Sequence, residues 1–570
     1  MTTSTAWGPA FPVNSTTRDD QFNPKLCSFK DGSFLAVWVD SNDANSDTDE
    51  GAIRGQFFHA DGSKKGGEFL ISASASGSQA YPEVAMLNDG RFVVAWHSDL
   101  GSGVRARAFK ADGTPIGNDF EVIGSGNDDF GLTALSNGGF AVANYGISDT
   151  FIQSFDANLQ KLGSEAMVSR SRGMEVIGLQ DRYMAFSGEG GTITGYIRNN
   201  DGSTPVGATE FTVTLGADSM PAVAKLSDGR VIVVWREIDH RTAEAPSQIK
   251  GQILNPDGSK SGGELLLSAP GLSGCQSVSL TALADGGFAV AYIDDIDGRN
   301  FADVRVSAFD GSGTRVGADT IVGRSYEDGQ SGHGEALDVT ALADGRLAVT
   351  WKSYIADWDD FGFSVHGQIV DLRQTGVTLT GTAGDDRYYG SRFNDSMKGE
   401  AGNDMLSGQA GNDAIAGGLG NDNLTGGEGS DNVAGDAGDD MLFGQGERDT
   451  LTGGDGSDAF VFDAAPMVGR AKHVDRITDF NGRADKIYLD DAIFKGLSKK
   501  VGSLDLAVRI DKKAFWKGNA AHDKDDRIVV KSSGDVLYDA DGTGKGKAVV
   551  VAKLDRKALK FVDAGDFFEV

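Results

Sequence analysis

Nine aspartates stand nine residues apart between residues 381 and 461: Asp386, Asp395, Asp404, Asp413, Asp422, Asp431, Asp440, Asp449 and Asp458. Each is preceded by a fixed glycine pattern. The first residue of every unit is Gly (Gly381, Gly390, Gly399, Gly408, Gly417, Gly426, Gly435, Gly444, Gly453). The fourth is Gly in seven units (Gly384, Gly402, Gly411, Gly420, Gly429, Gly438, Gly456) and is replaced by Phe393 and Glu447 in the other two. Glycines let a turn take positive φ and bring backbone carbonyls together. A carboxylate every nine residues then adds hard anionic oxygens to a cluster of carbonyl oxygens, which is donor chemistry for a hard divalent cation with six to eight oxygen ligands. A flexible Gly-rich linker has no reason to keep this register through nine units.

The eighth position is apolar throughout, from Tyr388, Met397 and Leu406 to Leu451 and Phe460. A Gly-rich six-residue turn followed by a three-residue strand with one inward side chain makes a coil that buries its core only when stacked on neighbours. The nonapeptide resembles the repeats of the RTX (repeats-in-toxin) exoproteins. That resemblance implies a parallel β-roll, calcium ions held between turns two units apart by the aspartates and glycines just named other than Gly390 and Gly444, and roughly seven ions at most. Phe393 and Glu447, where an inner Gly is expected, predict fewer. It also implies export by a type I apparatus, with an uncleaved signal near the C-terminus, and an extracellular or cell-surface location. Residues 475–482 (DRITDFNG), with Asp485, Ile487 and Leu489, resemble the strand that follows such rolls. A hairpin over 535–554 resembles the family's C-terminal cap, which would cover the open end of the solenoid.

Charge agrees with this picture. Lys and Arg number 53 against 83 Asp and Glu, a net charge of −30. Such a balance excludes nucleic acid and anionic membrane surfaces as partners. Within 381–461 there are 16 acidic and 4 basic residues, so without cations the segment repels itself and is expected to be unfolded. The two cysteines, Cys27 and Cys275, are read as buried free thiols, so disulfides do not staple the chain. The N-terminus has no basic region followed by an apolar run, so no Sec-type signal peptide is read there. No run of 18 apolar residues exists, which predicts no membrane span.

The first 371 residues carry a longer repeat. An Asp-Gly turn followed by an apolar run ending in an aromatic appears as DGSFLAVW (31–38), DGRFVVAW (89–96), NGGFAVANY (137–145), DGRVIVVW (228–235), DGGFAVAY (285–292) and DGRLAVTW (344–351). A degraded copy, GLQDRYMAF (178–186), makes seven. Around each lie three more short strands and a second Asp-Gly turn, which is an antiparallel four-stranded meander. Meanders at this period predict a β-propeller. The last copy lacks a fourth strand, and residues 7–13 read as a strand without the preceding three, so the N-terminus is expected to complete the last blade.

The chain is thus expected to be all-β: a seven-bladed β-propeller over 1–371, a linker over 372–380, a calcium-binding parallel β-roll over 381–462, and a C-terminal β cap with the secretion signal region over 463–570. The marks of a zinc protease or a lipase, His-Glu-x-x-His and Gly-x-Ser-x-Gly, are absent, and no phosphate-binding Gly loop occurs. No catalytic residue is therefore assigned. Among the loops after the second strand of a blade, 40–50 and 294–298 carry acidic spacings that could hold calcium, and 354–361 mixes Tyr and Trp with acids as sugar-binding loops do. The propeller is read as a recognition or adhesion module for a glycan or cell-surface ligand. The alternatives are a polysaccharide-degrading propeller enzyme or a purely structural surface protein.

Overall fold

The computed structural model describes residues 6–15, 20–41, 51–73, 78–98, 103–124, 130–146, 149–169, 175–189, 191–205, 210–238, 247–269, 272, 274–294, 301–326, 337–357, 360–463, 474–498, 500, 502–542 and 548–570. The chain divides into two compact units, Met1–Phe29 with Ser33–Leu372, and Lys30–Gly32 with Arg373–Val570.

The first unit is a seven-bladed propeller of four-stranded antiparallel sheets. Blade 1 runs Gln21–Ser28, Phe34–Asp40, Ala52–Phe58 and Lys64–Leu70. Five further blades follow the same order, and the seventh is completed from the other end of the unit. There Ala6–Pro12 pairs antiparallel with Asp360–Val370, matching Trp7 to Ile369 and Phe11 to Gly367. The second strand of each blade is sandwiched by its neighbours: Phe34–Asp40, Phe92–Ser98 and Phe288–Asp294 are buried along their whole length. That explains their unbroken apolar runs, because a strand covered on both faces has no polar side.

The aromatic that ends each run fills the same buried position as Trp38, Trp96, Trp235, Tyr292 and Trp351. In blades 3 and 4 the expectation shifts by one residue. Asn144 and Ser187 occupy that position, and Tyr145 and Phe186 stand beside it.

The Asp-Gly turns hold themselves closed. The side chains of Asp89, Asn137, Asp228, Asp285 and Asp344 each accept a hydrogen bond from the backbone N–H two residues on, at 2.9–3.1 Å. Where the turn reads Asp-Gly-Arg, the guanidinium also ties one blade to the next. Arg91 donates to the carbonyl of Ala157, Arg230 to that of Gly311, and Arg346 to that of Ala60. The last of these joins blade 7 to blade 1. Arg346 is fully buried, paired with Asp344 at 2.7 Å, and lies 4.4 Å from the ring centre of Trp7 on the closing strand.

The second unit is a two-sided roll. Odd nonapeptides feed one sheet (Arg387–Tyr389, Met405–Ala410, Asn423–Glu428, Met441–Gln445, Ala459–Phe462) and even ones the other (Ser396–Ala401, Ala414–Leu419, Asn432–Ala437, Thr450–Asp455). All these neighbours pair parallel, 18 residues apart. The eighth-position side chains stack into one file, with Leu406, Leu424, Val433, Leu442, Leu451 and Phe460 fully buried. Both sheets continue past the repeats: Asp475–Ile477 and then Val549–Leu554 extend one, Lys486–Leu489 and then Phe567–Glu569 the other. The cap thus covers the file of core side chains with Ile477, Ile487, Val551 and Phe567. Part of the expected linker also differs. Thr378–Thr380 forms a strand against Ser396–Ala401, because Leu379 falls in register with Met397 and covers the first coil.

Candidate metal centre: a ladder of buried aspartates

The sixth-position aspartate sits where the turn enters the strand. The apolar side chain two residues later fixes its depth, so all nine are only 1–4% exposed. One carboxylate oxygen has a structural role. Oδ1 of Asp404 accepts from the N–H of Asp386, Oδ1 of Asp422 from Asp404 and Oδ1 of Asp440 from Asp422, each at 2.8 Å. The even units repeat this through Asp413, Asp431 and Asp449. Two aspartates outside the repeats extend the rows: Asp475 accepts from the N–H of Asp449 at 3.0 Å, and Asp485 from that of Asp458 at 3.3 Å. Asp-x-Ile, spaced like the sixth and eighth positions, marks both in the sequence.

The second oxygen separates the units into two groups. In Asp404, Asp413, Asp422, Asp431, Asp440, Asp449 and Asp458, Oδ2 is buried with no hydrogen-bond partner among the described residues. Such an oxygen is costly to bury unless something compensates it. In Asp386 and Asp395, Oδ2 accepts the N–H of the unit's own second residue, Thr382 at 2.5 Å and Ser391 at 2.6 Å. The replaced inner glycines do not follow this division. The unit with Glu447 is open at Asp449, whereas Gly384 stands in a closed unit.

The first glycine is required by the space beside Oδ2. A Cβ at Gly399, Gly408, Gly417 or Gly435 would land against the unit's own Asp Oδ2 and the carbonyl oxygen of the first glycine two units on. At Gly417 that carbonyl, of Gly435, would be 2.8 Å away. In these four units the open carboxylate therefore faces a carbonyl oxygen across a gap that only glycine leaves clear. The fifth position, which was not singled out from the sequence, grips the turn from the other side. Asn394, Asn403, Asn412, Asn421 and Asp439 each accept the backbone N–H of the fifth residue two units on, at 2.8 Å. An amide or acid there in most units is the signal that marks this second ladder.

Burial governs the electrostatics. It pushes Asp413 and Asp440 up to about 7 and Asp458 up to about 6, with like charges in the neighbouring rungs adding to the effect. Burial raises Asp404, Asp422 and Asp431 in the same direction. Asp449 is raised as well, and Asp475 beside it contributes by repulsion. An array of hard, buried, uncompensated carboxylate oxygens beside carbonyls fits calcium by donor type.

The three acidic or aromatic loops singled out in the propeller fall elsewhere: residues 42–50 and 295–298, and the side chains of 354–361, lie outside the described residues. Cys27 and Cys275 are buried and free. No helix among the described residues is long and apolar enough to cross a membrane.

Residues 380–415, 389–424, 407–442 and 435–464 match the RTX calcium-binding nonapeptide repeat family in four copies. The segment from 380 to 464 is thus an array of RTX calcium-binding repeats on an all-β chain with a seven-bladed propeller. No curated protein matches the chain. Similar solved structures include a protein of unknown function from Dyadobacter fermentans, 10% identical with a TM-score of 0.38, covering 64% of this chain and 98% of its own. The NanB sialidase from Streptococcus pneumoniae is 12% identical with a TM-score of 0.35, covering 65% and 71%. An α-L-arabinanase from Penicillium chrysogenum is 15% identical with a TM-score of 0.34, covering 52% and 94%. Likeness at this level assigns no activity to the propeller.

Proposed function

We propose that this is an exported protein whose C-terminal unit folds when calcium seats against the open carboxylates, while the propeller acts as a recognition or adhesion module for a glycan or cell-surface ligand. The observation that carries the calcium reading is the run of seven buried Oδ2 atoms without a partner, one in each unit from Asp404 to Asp458. Calcium held by each Oδ2 and the facing glycine carbonyl would neutralise the ladder, and binding free energy would become folding free energy. Export through a type I apparatus, with the signal within 463–570, suits a segment that stays unfolded where calcium is scarce. Extracellular calcium modules bind at about 10⁻⁴ to 10⁻³ M, far above cytosolic levels.

Two measurements test this reading. Calorimetric titration of the full chain should give fewer ions for Asp413→Ala with Asp431→Ala than for the unchanged protein. Unaltered stoichiometry sinks the assignment. For the propeller, saturable retention on one member of a glycan panel without release of new reducing ends supports recognition. Release of reducing ends makes it an enzyme instead.

A further inference from the structure

The open and closed rungs differ at one position, four residues before the aspartate. In the seven open units the second residue adopts positive φ: Glu400 (72°), Gln409 (73°), Gly418 (110°), Gly427 (110°), Asp436 (71°), Gln445 (66°) and Gly454 (103°). Thr382 and Ser391 do not. With φ on the ordinary side, their N–H groups turn inward onto Oδ2 of Asp386 and Asp395. Their hydroxyls then donate to Oδ1 of the same carboxylate, at 3.2 Å for Thr382 and 2.9 Å for Ser391. Each hydroxyl also accepts a backbone N–H from two residues on, of Gly384 at 3.2 Å and Phe393 at 3.0 Å. Ser and Thr favour such local bonds to their own turn, and a β-branched residue such as Thr resists positive φ. The far end of the ladder shows the same arrangement, with Asp485 Oδ2 accepting the N–H of Asn481 at 2.6 Å, again four residues earlier. The fourth position does not account for the division, as the units with Gly384 and Glu447 show.

We infer that Thr382 and Ser391 are lock residues that keep Asp386 and Asp395 out of the calcium ladder, leaving the first coil of the roll folded by hydrogen bonds rather than by ions. The inference rests on the open carboxylates being the calcium ligands. An ion-free coil at the start of the roll would give the next units an ordered surface on which to stack. It also makes the second residue of the nonapeptide, rather than the aspartate alone, the determinant of whether a unit takes calcium.

The test counts calcium bound per full chain by equilibrium dialysis, with circular dichroism confirming the β content of every variant. Asp386→Asn with Asp395→Asn should leave the count unchanged, whereas Asp422→Asn should lower it. Thr382→Gly with Ser391→Gly should unlock both rungs and raise the count by up to two. Thr382→Gln with Ser391→Gln, the residue that stands at this position in two open units, provides the same test if the glycine pair fails to fold. Loss of ions at Asp386→Asn with Asp395→Asn, or no gain from either unlocking pair, overturns the lock while the loss at Asp422→Asn preserves the ladder. No loss at Asp422→Asn overturns the reading of the ladder and the lock with it.

Discussion

At the scale of the residue, one carboxylate does two tasks with two oxygens. Oδ1 of each open aspartate is committed to the backbone of the coil beneath it, which holds the carboxylate still, and Oδ2 of these seven rungs is left to a cation. The raised acidity constants set a pH dependence. In the calcium-free folded roll, Asp413 and Asp440 hold a proton up to about 7, but the unfolded chain releases it near 3.8. The folded state binds more protons, so this contribution to stability is present below about 4 and is lost as pH rises through about 7. Calcium inverts the dependence, because it needs the ionised form. Circular dichroism in chelator should therefore show more β structure at pH 4.5 than at pH 8. Calcium affinity should rise over the same interval. Equal β content at both pH values in chelator would show that burial of these carboxylates does not govern folding.

At the scale of the element, the two units solve the problem of strand edges differently. The roll stacks coil on coil and extends its sheets into the cap, whereas each propeller blade is joined to the next by side chains. Arg346 is the most loaded of these joints, since it reaches Ala60 across the closure, pairs with buried Asp344 and covers Trp7. Removing one partner of a buried pair leaves an uncompensated charge and costs about 3–5 kcal/mol. Arg346→Ala should lower the unfolding free energy of the propeller by that amount, and Arg346→Lys by less. Tryptophan fluorescence reports it, since six of the seven tryptophans lie in residues 1–371. Arg91→Ala, at an exposed turn whose pair is solvated, should cost about 1 kcal/mol or less. Similar losses at both arginines would argue that the closure is held by the strand Ala6–Pro12 alone.

At the scale of the whole molecule, the prediction concerns export. Deleting residues 511–570 removes the final strand Phe567–Glu569 and the hairpin that extends the other sheet. The proposed signal goes with them. The truncated chain should remain inside the producing cell, and its roll should no longer gain β structure when calcium is added, because the open end of the core file is exposed. Magnesium should not replace calcium for the full chain, since it demands a smaller octahedral shell. Recovery of the truncated chain from the medium would remove the C-terminus from the export mechanism.

The sequence by itself determined the period, the stacked core and the repeat class, because a residue that recurs every nine positions with an apolar partner two further on has only one way to be buried nine times. The propeller was legible for a similar reason: Asp-Gly turns and unbroken apolar second strands are local signals of a meander with both faces covered. Only the folded backbone shows which carboxylates stay open. That outcome follows the φ of the residue four positions earlier and whether its N–H reaches Oδ2, and neither is written in the Gly and Asp pattern. Asp386 and Asp422 look alike in the sequence, yet one carboxylate is closed by its own turn and the other is not. Likewise Thr378–Thr380 reads as a linker until Met397 gives Leu379 something to pack against. The difference is physical: periodicity fixes which side chains are buried, but which polar atoms find partners is settled only when distant coils come into register.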